Sequence, residues 1–303
     1  MFQHSEHTTV IADTLKTAAE HGEQKENLFV ELLHHTQNSN ELELPFLGHV
    51  HLPHFEPFHF LGMTFDMSIS KHVVFLILSA ILLVVAGIIA ARSNSKKKIP
   101  SGFGNLMEVF VVFIRDEIAI PNMGKTGVKY LPYLITTFFF ILIMNLFGMI
   151  PYGASATGNV NVTAGLAIIA FLMIQFAAIR AQGIGHYLAH LTGGVHWALW
   201  PIMIPIEILG LFTKPFALCI RLFANMTGGH IVIVALIGLV FIFKSWFIAP
   251  VPIAFVLGIN FLELFVAFLQ AYIFVMLTSL FMGLGMVSNS SDKSEHAHSK
   301  EHH

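Results

Sequence analysis

The sequence predicts an all-α, polytopic membrane protein. We expect about five membrane-crossing helices, the last two long and strongly tilted, and one amphipathic helix on the inner surface. Hydrophobic residues make up 55% of the 303 residues and charged ones only 11%, too few charges to cover a soluble domain of that size. Apolar runs of about 20 residues, the length a helix needs to cross a bilayer core, recur along the chain. Charge is also uneven: ten acids stand against three bases up to Lys71, while the region from Arg92 to Lys129 is basic. That distribution leaves no nucleic-acid footprint. Cys219 is the only cysteine, which excludes an intrachain disulfide, and its position fits a small residue on a packed face.

Residues 1–66 form an acidic, histidine-rich arm outside the membrane. Thr9 to His21 and Asn27 to His35 have apolar residues at helical intervals, and the start lacks the basic and apolar pattern of a cleavable signal. GlyHisValHisLeuProHisPhe, from Gly48, alternates as a short strand does. His49, His51, His54 and His59 invite a metal reading, but no cysteine and no helical histidine spacing accompany them, so a solvated cluster is expected and no metal.

The membrane domain, residues 67–286, begins with a span at about 72–91 that ends in ArgSerAsnSerLysLysLys, Arg92 to Lys98. The positive-inside rule puts that cluster on the cytoplasmic side and the N-terminal arm outside. From Gly102 to Lys129 an apolar stripe of Leu106, Val109, Phe110, Phe113 and Ile114 opposes Glu108, Arg115, Asp116 and Glu117, the pattern of a surface helix over about 102–120. Spans follow at about 131–150, closed by Pro151, and at 162–179, ending at Arg180; the uncharged connection at 152–159 fits an external loop. His186 and His190 share a helical face without an acidic third ligand, so no zinc site is expected.

The segment at about 201–243 is twice the length needed to cross. It either folds back near Lys214-Pro215 or crosses steeply inclined; without a glycine or asparagine cluster there, one tilted helix is expected. The segment at 248–286 is also overlong, and the polar tail, residues 287–303, returns to the cytoplasmic side.

Polar residues in these two segments carry the chemistry. A central arginine in a membrane helix costs about 2.5–3.5 kcal/mol, which makes Arg221 a functional residue by default. Glu207, Lys214 and Arg221 are seven apart and Asn225 follows at four, so all four fall on one helical stripe. His230 falls on the opposite side of the helix. Glu263 and Gln270 share a face of the last helix, and His230 is the obvious partner for a buried Glu263. Arginine suits a fixed cation because it stays protonated, while histidine and glutamate suit proton exchange. Asn145, the strongly polar residue of the second span, is accounted for by interhelical hydrogen bonding as readily as by transport.

ProPheAlaLeuCysIleArgLeuPheAlaAsnMetThrGlyGlyHis, residues 215–230, resembles the signature of subunit a of the F-type ATP synthase membrane sector: Lys-Pro, then Arg-Leu-Phe-x-Asn-Met, then a small residue, Gly, and His or Glu. Residues 263–274, with GlnAlaTyrIlePhe, resemble that family's C-terminal block, and AsnLeuPheGlyMetIlePro (145–151) and AsnValAsnValThr (159–163) resemble earlier ones. The similarity covers about Met67 to Phe281.

The resemblance implies a stator subunit in the bacterial inner membrane that holds two offset proton half-channels against a rotating ring of small two-span c-subunits. Its other implied partners are b-type peripheral stalk subunits, the rest of the ATP synthase and the lipid bilayer. It further implies no catalysis and no cofactor in this chain, which has no phosphate-binding loop of its own. By the same resemblance, Arg221 is the essential arginine, Asn225 and Gln270 line its interface, and His230 with Glu263 form a proton relay. The family's acid and imidazole are exchanged between those two positions here. Glu207 and Lys214 are weaker candidates for the inner half-channel. A sodium-driven version of the same subunit and a self-contained ion- or metal-coupled secondary transporter are the alternatives; the matching broken helices of a transporter are not found.

Overall fold

The computed structural model describes residues 41–44, 48–51, 58–60, 63–65, 70–95, 102–150, 155–185, 187, 200–243 and 250–300. The expected helices at Thr9–His21 and Asn27–His35, the His186/His190 pair and the turn at Lys244 lie outside them. The chain divides into two compact units, Met1–Lys71 with Thr227–Glu263, and His72–Met226 with Leu264–His303.

The first unit holds two short antiparallel hairpins. Strand β1 (Glu41–Leu44) pairs with β2 (Gly48–His51), and β3 (Phe58–Phe60) with β4 (Met63–Phe65). The strand expected from Gly48 is therefore present as β2. Everything described beyond residue 70 is helical or connecting loop.

Five helical stretches among the described residues are long and apolar enough to cross a membrane: Lys71–Ser93, Phe103–Gly148, Val160–Gln182, Trp200–Leu239 and Pro250–Met286. Helix α1 (Lys71–Ser95) leaves a broad apolar surface exposed, including Ile81, Val84 and Ile89, as a lipid-facing span requires. Helix α2 (Phe103–Phe113) runs through a π-helical turn, Ile114–Ala119, into the short α3 (Ile120–Met123), a 3-10 segment (Gly124–Tyr130) and α4 (Leu131–Gly148). This stretch is not one rod. The Phe110 ring lies 5.8 Å from that of Phe138 and 5.6 Å from that of Phe139, whereas 28 residues of straight helix would separate them by about 42 Å. Thus α2 doubles back along α4. Gly124, with φ of 62°, takes a backbone conformation open to glycine and ends α3.

Helix α5 spans Val160–Gln182, opened by Asn159, whose side chain accepts from the Asn161 amide at 2.9 Å. Helix α6, Trp200–Phe243, is a single helix of 44 residues with Pro205 and Pro215 inside it. The absence of turn-forming residues near Lys214 thus had the expected outcome. At about 1.5 Å per residue α6 is about 66 Å long, so it fits a bilayer core of about 30 Å only when steeply inclined. Helix α7 runs from Pro250 to Lys300. Its last turns are the polar stretch expected as a tail; no glycine or proline stands between Met286 and Lys300 to break them.

The core of the second unit gathers α2, the π-helical turn, α4, α5, α6 and α7. Phe110, Phe138 and Phe268 meet as an aromatic triangle with centroids 5.7–6.1 Å apart, and Phe113 packs on Tyr272 at 5.8 Å. Small residues let backbones meet on the far part of α7. A Cβ at Gly285 would come within 2.8 Å of the Ala178 Cβ on α5, and one at Gly283 would collide with the Asn122 carbonyl oxygen. Ser279 donates to the Ile118 carbonyl in the π-helical turn at 3.2 Å, giving that displaced carbonyl a partner.

Because backbone oxygen cannot swing aside, Gly283→Val should destabilise this packing by about 1–3 kcal/mol. The check is the amount of the subunit retained in membranes and the melting of the solubilised complex, both of which should fall.

Candidate functional site

One face of α6 is buried and the other exposed. Leu218, Cys219, Leu222 and Met226 recur at helical spacing and pack inward, with the Cys219 sulfur 3.4 Å from the Thr163 hydroxyl on α5. The opposite face exposes Phe212, Phe216 and Ile220, and among these apolar side chains stands Arg221, itself exposed. Among the described residues Arg221 has no hydrogen bond or ion pair. The guanidinium therefore sits on an apolar surface with no counter-charge from this part of its own chain.

One turn further along, Asn225 Nδ2 donates to Gln270 Oε1 of α7 at 2.7 Å. Gln270 is only 2% exposed, so this bond anchors Asn225 to a buried partner. Lys214 lies at the same α6–α7 seam, its ammonium 5.1 Å from the centroid of the Phe281 ring. The two contacts fix α6 and α7 as antiparallel neighbours here. Glu207 is half-buried. Its charge acts on Tyr187, whose phenol is pushed upward first by burial and then by Glu207, and the Tyr187 hydroxyl donates to Gln175 Oε1.

In the first unit, His230 and Glu263 come together. His230 Nε2 lies 4.0 Å from Glu263 Oε1, with the imidazole 29% and the carboxyl 4% exposed. Among the described residues neither carboxyl oxygen has a hydrogen-bond partner. The carboxyl occupies the space above Gly229, where a Cβ would stand 2.8 Å from Oε1 and 3.2 Å from the carboxyl carbon. A glycine at 229 therefore makes room for the acid beside the imidazole.

Asn145 is fully buried, and both ends of its amide are used. Its Nδ2 donates to the Ala267 carbonyl of α7 at 3.2 Å, and its Oδ1 accepts from the Thr157 hydroxyl at 2.7 Å. Ser155 Oγ lies 2.7 Å from Thr157 Oγ1, and His72 Nδ1 is 2.9 Å from the Ser155 carbonyl. Asn145 is thus an interhelical hydrogen-bonding residue. Sequence reasoning missed the partners His72, Ser155 and Thr157, as it missed Tyr187, Gln175 and the steric role of Gly229. The uncharged but hydroxyl-bearing loop at 152–159 was the available signal for Ser155 and Thr157. Among the described residues no three His, Cys, Asp or Glu side chains form a metal-ligand set.

The structure accordingly brings together Asn225 with Gln270, and His230 with Glu263, and leaves Arg221 facing outward. Comparison with known proteins gives this arrangement a family. The family model described as ATP synthase A chain matches residues 73–283. A protein named ATP synthase subunit a from Chloroherpeton thalassium is 49% identical over 276 residues, covering 90% of this chain and 81% of the relative. ATP synthase subunit a 2 from Chlorobaculum tepidum is 53% identical over 264 residues, 86% of this chain and 74% of the relative. ATP synthase subunit a from Myxococcus xanthus is 52% identical over 235 residues, 77% of each. On the match of the family model across all five apolar helices, and on relatives that share half of its residues, the chain belongs to the ATP synthase A chain family as a multi-span membrane protein.

Proposed function

We propose that this chain is the stator-side ion-path subunit of a rotary ATP synthase. It provides two offset proton half-channels and sets Arg221 against a rotating ring of small carboxylate-bearing subunits, so that proton flow across the membrane drives rotation and ATP synthesis. The observation that carries the reading is Arg221 itself: an exposed guanidinium among exposed phenylalanines and isoleucines, with no acid among its described neighbours. A charge so placed is costly against lipid and favourable against a carboxylate presented by another chain.

A ring carboxylate arriving opposite Arg221 releases its proton in the field of the guanidinium, and it takes up another before returning to lipid. The fixed positive charge of the guanidinium blocks direct proton passage between the half-channels while attracting each acid in turn. Each elementary charge that crosses the full potential contributes about 2.3 kcal/mol per 100 mV. Asn225, held by Gln270, flanks the arginine on the same face. His230 and Glu263 pass protons in the outer half-channel, and Glu207, with Tyr187 and Gln175 near it, serves the inner one, Lys214 standing at its edge.

In this reading the N-terminus is outside and the C-terminus cytoplasmic in a bacterial inner membrane, because the cluster from Arg92 to Lys98 follows the first span. The chain has no nucleotide chemistry of its own, and its neighbours are the ring, b-type stalk subunits and the rest of the complex.

Three outcomes test the proposal in inverted membranes carrying the whole complex. Arg221→Ala should abolish ATP-driven proton pumping and Arg221→Lys should cut it by at least about tenfold; wild-type coupling in either removes the central claim. Glu263→Gln should slow proton flow by about tenfold, and the exchanged pair His230→Glu with Glu263→His should recover part of it. Gly229→Ala meets only the mobile end of Glu263, so the subunit should assemble normally while proton flow drops about threefold as the carboxyl is pushed from the imidazole. Dye-quenching traces, normalised to immunoblotted subunit, read all three.

A further inference from the structure

Helix α7 is held from behind. Asn145, Thr157, Ser155 and His72 form a continuous buried polar string, each at most 6% exposed, that ends on the Ala267 carbonyl, three residues before Gln270. Gly148 admits the string, since a Cβ there would collide with Ser155. A relay would need a proton to be handed on at each end. At the α7 end the string meets a backbone carbonyl, of Ala267, which only accepts, and the Asn145 amide before it does not release a proton at working pH.

We propose that this string is a static clamp, with Asn145 and Thr157 as positioning residues that set the α7 turn carrying Gln270, and through the Gln270–Asn225 bond the face of α6 that presents Arg221. The clamp rests on the reading of that face as the working interface. Thr157 is its critical member, because its hydroxyl both donates to Asn145 Oδ1 and pairs with Ser155 Oγ. With that hydroxyl removed, Asn145 Oδ1 loses its partner in a fully buried place, and the amide is free to rotate away from Ala267.

The test uses the complete complex in inverted membranes, with pumping normalised to the amount of subunit present. Thr157→Val should lower ATP-driven pumping by about threefold, in line with interhelical hydrogen bonds of modest strength, without moving its pH profile. Thr157→Ser, which keeps the hydroxyl, should restore most of the loss. Ser155→Ala removes only the outer bond and should cost about twofold; it carries the test if the valine variant does not assemble. Unchanged pumping in the assembled variants, a loss that serine does not rescue, or a displaced pH profile overturns the clamp, the last by making the string a relay. Arg221→Ala, measured in parallel, separates the two readings: lost pumping there with normal pumping in Thr157→Val sinks the clamp alone, and normal coupling in Arg221→Ala sinks the reading beneath it.

Discussion

Inside a bilayer core, a polar group that does not find its partner within the protein has no water to turn to, and that constraint orders this structure. Most polar side chains in the helices comply in the simplest way. Ser79, Thr136 and Thr278 donate to the carbonyl four residues back on their own helices, at 2.7, 2.8 and 2.7 Å. Asn145 and Gln270 comply by bridging helices. Set against these, Arg221 and Glu263 stand out. One is charged and exposed on an apolar face, and the other is buried with both oxygens unbonded. Gln182 Oε1 and Thr227 Oγ1 are also buried without a partner, but Arg221 and Glu263 are the ionisable groups, and to these the proposed mechanism assigns exchange with something that comes and goes.

The apolar architecture makes those exceptions tolerable. Aromatic rings from α2, α4 and α7 interlock around Phe138, and the inward stripe of α6 from Leu218 to Met226 joins the same core. Packing on that side leaves the Arg221 guanidinium on the other without a hydrogen bond or ion pair among the described residues. A side chain can then be offered outward from a helix whose own position does not depend on it. The hydrophobic effect does not drive helices together within lipid, so close backbone approach at Gly283 and Gly285 and the polar string behind α7 have to supply the specificity.

Local pattern and helical spacing made the membrane helices legible in the sequence, because hydropathy over 20 residues and the scarcity of helix breakers act residue by residue. The continuity of α6 followed from what is missing around Lys214, whereas Asn225 and Gln270 shared an interface only by the family resemblance, and their hydrogen bond was not foreseen. The approach of His230 and Glu263 was legible because a buried acid calls for a basic neighbour. The return of α2 along α4 was not, since it depends on rings 28 residues apart finding each other. Nor was the π-helical turn, whose spare carbonyl is answered by Ser279 from the other end of the chain. The helical course of residues 287–300 was hidden by composition: serine, lysine and glutamate look like a tail, but nothing among them forbids a helix.

The two glycines at the far part of α7 have a further implication. Moving the helix by one residue would shift it about 1.5 Å and turn it by about 100°, which would bring Leu284 where Gly283 now meets backbone. A leucine does not fit against that carbonyl, so the axial position of α7 is indexed to the present register. Gln270, on the same helix in the same unit, inherits that indexing, and the reference point from which its amide is aimed lies more than three turns away, where the Asn122 carbonyl rests on a residue without a side chain.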